Sequence, residues 1–143
     1  MSNYLENKLI DFLFRGVAFS PPATLYIALC TAAPSDTSTG SAMNEVSGGN
    51  YARQSVTSNA SNWKTTQNDT TATSSGTGGT TKNATVVSWN SVTWAATITH
   101  VAICDAASNG NLLYWGPLNS TKTVAVGESV SFPIDSLTYQ VDN

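Results

Sequence analysis

The amino-acid sequence predicts a mainly β protein, a jelly-roll-like antiparallel β-sandwich with one N-terminal α-helix. Three observations carry this. About seven to nine short alternating or β-branched runs follow one another at the spacing of sandwiches and barrels. Helical spacing occurs only near the start, so the rhythm of a parallel α/β fold is missing. The 143 residues are 41% hydrophobic, which suits a single β-sandwich domain over residues 1–143 with one core.

Residues 3–15 read as the helix. Asn3 can cap it, with Glu6 three positions on, the spacing of a capping box. Leu5, Leu9 and Phe12 form one apolar stripe, widened by Leu13, while Lys8, Asp11 and Arg15 lie off it. Gly16 and Pro21-Pro22 end the run. A helix this short is not stable alone. It must dock on its own domain or on a neighbouring subunit.

Thr24 to Thr31 is a strand with apolar residues on both faces, as in a central strand covered on two sides. A polar loop then runs to Asn50, closed by Gly48-Gly49. Tyr51 to Ser58 is a further strand, and Trp63 is an isolated anchor. Residues 61–85 are dominated by Thr, Ser, Asn and Gly and read as an exposed polar excursion or a polar hairpin. Beyond it, Ala84 to Trp89 and Val92 to Cys104 alternate. Asn109-Gly110 signals a turn, and Leu112 to Trp115 returns. Pro117 is expected to break that strand, with a new one from Lys122 to Val126. Val130 to Phe132 and Leu137 to Val141 complete the set.

Only 10% of residues are charged, and 20 Thr, 18 Ser and 13 Asn fill the gap. The six basic side chains are scattered and the net charge is −3, which argues against a nucleic-acid groove. No apolar stretch is long enough to span a bilayer, and the N-terminus lacks the pattern of a secretory signal. Direct nucleic-acid and membrane partners are therefore not expected.

Catalytic chemistry has little to work with. The single histidine, His100, sits in an alternating strand, where a structural role is expected. Cys30 and Cys104 lie in apolar runs, as buried free thiols or as a disulfide between strands. Asp105 is placed to cap a turn. No metal-ligand, nucleophile-elbow or phosphate-loop motif occurs. The expectation is no enzyme, no catalytic or metal residues and no cofactor. Arg53, in the string Gly48-Gly49-Asn50-Tyr51-Ala52-Arg53, is a candidate for a buried or interfacial ion pair with Asp105 or Asp11. Four tryptophans spread over β segments read as core or interface anchors, with a sugar-binding surface as the other reading. Leu5, Leu9, Phe12, Arg15, Tyr51, Arg53 and Trp63 are the candidate interface or anchoring residues.

Several segments carry a family resemblance: Asn3-Tyr4-Leu5-Glu6-Asn7-Lys8-Leu9-Ile10-Asp11, Pro22 to Leu29, Glu45 to Arg53, Ile98 to Asp105 and Val126 to Phe132. Together they resemble a group of small tailed-bacteriophage virion proteins, labelled capsid cement (decoration) or tail-fibre proteins. The resemblance implies a structural virion protein made in the host bacterial cytoplasm. A long fibre would show a heptad run or a shaft repeat, and this sequence has neither. The expectation is therefore a capsid cement protein on the outer surface of the shell. It would be a homo-oligomer, a trimer, that binds the major capsid protein at capsomer junctions. A tail-tip or tail-fibre-associated protein bound to tail proteins is the alternative, and a carbohydrate-binding β-sandwich module a lesser one.

Overall fold

A computed structural model describes residues 1–141. One helix, α1 (Asn3–Arg15), precedes eight strands: β1 (Thr24–Cys30), β2 (Gln54–Thr57), β3 (Thr80–Lys82), β4 (Val87–Trp89), β5 (Ala96–Cys104), β6 (Leu112–Val124), β7 (Val130–Phe132) and β8 (Thr138–Gln140). The fold is mainly β with an N-terminal helix, as expected. Its strands form three antiparallel sheets: a four-stranded one in the order β2-β1-β5-β6, and the pairs β3-β8 and β4-β7. No sheet closes into a barrel among the described residues, so the pairing carries the β class and not the jelly roll.

β1 lies inside the large sheet, where its doubly apolar pattern places it. Ile27 and Leu29 enter the main core with Trp89, Trp94, Ile98 and Val101. Ala28 and Cys30 face a second cluster with Met43, Ala102, Cys104 and Leu112. The register pairs Cys30 with His100 and Cys104 with Tyr26. Four ladder positions, roughly 13 Å, separate the cysteines, beyond the reach of a disulfide. Both are free and buried. Burial, above all, pushes each thiol up to about 12.

Pro117 does not end its strand. β6 runs from Leu112 to Val124 in one piece, with Pro117 opposite His100 and a register shift between Ile98 and His100. β6 is the edge of its sheet, where a residue without an N–H leaves no ladder bond missing. The expected turn is present: Asn109 and Gly110 both take positive φ, 52° and 69°.

The polar excursion is tied down by hydrogen bonds. The Lys64 N–H donates to the Lys82 carbonyl at 2.8 Å, and β3 pairs with β8 near the C-terminus. The Asp69 carboxylate accepts from the Thr71 and Ala72 N–H groups at 2.8 and 2.9 Å, which holds it below the usual carboxylate range. Lys64 pairs with Asp135 at 2.8 Å. Asn83, fully buried, closes the segment.

Candidate functional site

The helix begins one residue earlier than its capping pattern suggests. Ser2, not Asn3, is the cap, and its Oγ accepts from the Leu5 N–H at 3.4 Å. Ser2 is fully buried and its hydroxyl donates to the Leu112 carbonyl. The Ser2 N–H reaches Leu113 O at 3.0 Å, and the Asn3 N–H reaches Asp36 O at 2.9 Å. The start of α1 is thus bonded to β6 and to the loop after β1. Its end is a left-handed Gly16 with φ 69°, the usual helix stop.

Leu5 is buried, and Tyr4 and Leu9 pack against the main core. From there the helix leaves the domain surface. Phe12 is 50% exposed, although it shares the stripe of Leu5 and Leu9. Arg15 is exposed and pairs with Asp11 at 2.9 Å on the same helix. Leu13 does not widen the inner stripe. It belongs to a second one, Ile10, Leu13 and Phe14, at the i, i+3, i+4 spacing of a helix that docks by one face, and the exposed Val17 follows just beyond the helix stop. Leu13 is 66% and Phe14 81% exposed. One stripe seats the helix on its own domain and the other faces outward.

Arg53 is buried and Tyr51 half-buried. All five guanidinium donors of Arg53 are used. Nε and Nη2 take the Glu45 carboxylate at 2.9 and 2.7 Å. Nη1 donates to the carbonyls of Ala106 and Asn109 at 2.8 and 2.9 Å, and Nη2 also to that of Gly40. The Tyr51 hydroxyl donates to Glu45 Oε1 at 2.8 Å and accepts from the Leu29 N–H at 3.0 Å. Burial, reinforced by the Glu45 carboxylate, pushes this hydroxyl well above its ordinary value, so it stays a donor. The cluster locks the loop after β1 to the loop between β5 and β6. Gly40 allows the approach: a Cβ there would lie 1.9 Å from Asn109 O.

The ion pair expected of Arg53 therefore exists, with a different partner. Asp11 is occupied by Arg15. Asp105 caps its own turn, accepting from the Asn111 N–H and side-chain amide at 2.7 Å each. Glu45 wins because a bridge to Cys30 places it at the end of β1. Asn50 contributes a second lock, exchanging two 2.8 Å bonds with Thr93. Trp63 is half-buried, edge-on to Tyr139 with ring centroids 5.9 Å apart. Trp89 and Trp94 are core residues. His100 bonds to Thr99 Oγ1 at 2.8 Å and tilts against Trp115. Among the described residues no group of three or more His, Cys, Asp or Glu is gathered to hold a metal, and no helix is long and apolar enough to cross a membrane.

Residues 1–140 match the family described as Podophage GP4 fiber I protein gp80. The chain belongs to that family. It is a structural protein of the virion, related to phage tail-fibre proteins. No curated protein matches it. Membership corrects the expectation of a capsid cement protein: a fibre family replaces the major capsid protein as partner and the shell surface as address. The trimer was expected at capsomer junctions, and that placement falls with it. The match runs over residues 1–140 of a sequence with neither a heptad run nor a shaft repeat.

Ser2, Glu45, Ile10, Phe14 and Val17 were not among the sequence-predicted site residues. The spacing of the outer stripe is legible at 10, 13 and 14. It was hidden by assigning Leu13 to the inner one.

Proposed function

We propose that this protein is a non-enzymatic, tail-fibre-associated structural protein, joined to another tail protein through the outer stripe of α1. The observation that carries this reading is the double-faced helix. A helix apolar on two sides is ordinarily covered on both, and here only one side is covered by the protein's own core. Fibre-family membership points to the tail as the place of the second contact. The buried Ser2 cap and the Arg53 clamp give the helix a rigid base, so force on the stripe passes into the β domain.

Leu13 and Phe14 are exposed, so L13D/F14D leaves the fold intact and removes the contact. Burial of two such side chains is worth roughly 3–6 kcal/mol, so incorporation of the variant into tails should fall about 100-fold or more. Incorporation equal to that of the unmodified protein, measured by mass spectrometry of purified virions, would refute attachment through this face.

A further inference from the structure

Of the 13 asparagines, only Asn109 is followed by glycine. In this pairing the asparagine side chain is most open to attack by the next main-chain nitrogen, because glycine has no Cβ to shield that nitrogen. The pair sits at the exposed tip of the loop between β5 and β6, within reach of water. The fold requires both residues. Each takes a positive φ, which asparagine and glycine tolerate best. A Cβ on Gly110 would lie 2.5 Å from Asp105 Oδ1 and 2.6 Å from Ala106 Cβ, so a larger residue does not fit.

The reaction open to this pair is deamidation. The Gly110 nitrogen loses its proton and attacks Asn109 Cγ. The Cγ–Nδ2 bond breaks, and ammonia leaves with a proton. Water then opens the five-membered imide at either carbonyl, giving aspartate, or isoaspartate with the main chain rerouted through Cγ. The planar ring needs the Gly110 nitrogen eclipsed with Asn109 Cβ. At φ 52° Asn109 is left-handed, and the ψ of that region does not eclipse them. Ring closure must therefore turn the peptide that carries Asn109 O and the Gly110 nitrogen in one plane. That oxygen accepts from Arg53 Nη1 at 2.9 Å. On the other side, Gly110 O accepts from the Gly40 N–H at 3.1 Å. The reacting nitrogen cannot swing without releasing Arg53.

We propose that Asn109-Gly110 is a self-modification site whose rate is set by Arg53: slow while the guanidinium holds the Asn109 carbonyl, fast once it lets go. Isoaspartate adds a carbon to the main chain beside the atom that Arg53 holds, so conversion loosens the lock between the two loops. The site is independent of tail attachment.

The test is incubation of the full-length protein at neutral pH, folded or unfolded in urea, with conversion of Asn109 followed by peptide mass spectrometry. Releasing one hydrogen bond to a charged group changes such a rate about 10- to 100-fold. The folded protein should therefore convert at least about ten-fold more slowly than the unfolded chain. Arg53→Met should remove most of this protection while circular dichroism still shows a folded chain. Should that variant fail to fold, Arg53→Lys replaces it, since a single ammonium cannot span Glu45 and three carbonyls. Asn83→Leu weakens the fold away from the clamp and should leave the rate nearly unchanged. Equal rates in the folded and unfolded protein, an unchanged rate in the Arg53 variant, equal acceleration by the Asn83 variant, or earlier conversion of another asparagine would overturn the proposal.

Discussion

Replacing Arg53 with methionine is expected to lower the folding free energy by about 3–5 kcal/mol, the cost of breaking a buried pair by removing one partner. The Arg53 side chain is 3% exposed and that of Glu45 20%. Methionine fills much of the volume, so packing is largely kept and the loss is electrostatic. The Glu45 carboxylate would keep only the Tyr51 hydroxyl as a side-chain donor, and the carbonyls of Gly40, Ala106 and Asn109 would each lose a donor. The urea midpoint should fall without a change in slope, since the same surface unfolds. Combining R53M with Glu45→Met should recover part of the loss, because the buried charge is removed with its partner. A single-variant loss under 1 kcal/mol would show that the clamp is decoration. The effect should also reach the helix. The loop held by Arg53 contains Asp36, whose carbonyl accepts from the Asn3 N–H.

Asn83→Leu should have an effect of similar size by another route. The Asn83 side chain makes three hydrogen bonds of 2.8 Å: its oxygen accepts from the Leu137 N–H, and its nitrogen donates to the carbonyls of Thr85 and Pro133. Leucine has a similar shape and leaves the Leu137 N–H and the Thr85 carbonyl unpaired, while the Pro133 carbonyl keeps the N–H and hydroxyl of Ser136. A buried unsatisfied group costs about 1–3 kcal/mol, and water can reach some of them after relaxation, so a net loss of about 3 kcal/mol is expected. The change should be local first. Asn83 joins the excursion to the C-terminal segment, so the Leu137 amide and the β3-β8 pair should exchange hydrogen faster than β1 and β5. Uniform acceleration across the protein, or none, would contradict this role.

These two residues show what the sequence could and could not convey. Arg53 stood out as a rare cation beside a glycine pair, and its burial as half of an ion pair was legible. Its partner was not: Asp105 and Asp11 were the candidates among nine acids, and the choice of Glu45 depends on how the loop after β1 folds back. Asn83 was invisible: it is one of 13 asparagines, and only burial distinguishes it. The central place of β1 was legible, since apolar residues on both faces require cover on both. The continuity of β6 through Pro117 was not, because proline breaks an inner strand and is tolerated at an edge, and edge position belongs to the whole sheet. The excursion hid its pairing for a related reason. Polar strands held by hydrogen bonds carry no hydrophobic period.

The helix gives the same lesson at the candidate site. Of its predicted stripe, Leu5 and Leu9 meet the core and Phe12 does not. The outer stripe depends on where the helix leaves the domain, which follows from Ser2 being buried against β6. The exposed face is therefore one that composition alone does not reveal.

The most direct measurement is an image of the intact virion at side-chain resolution. The protein is expected on the tail, with Ile10, Leu13 and Phe14 of α1 covered by a second tail protein. Density for the protein on the head shell, or on the tail with this stripe open to solvent, would contradict it.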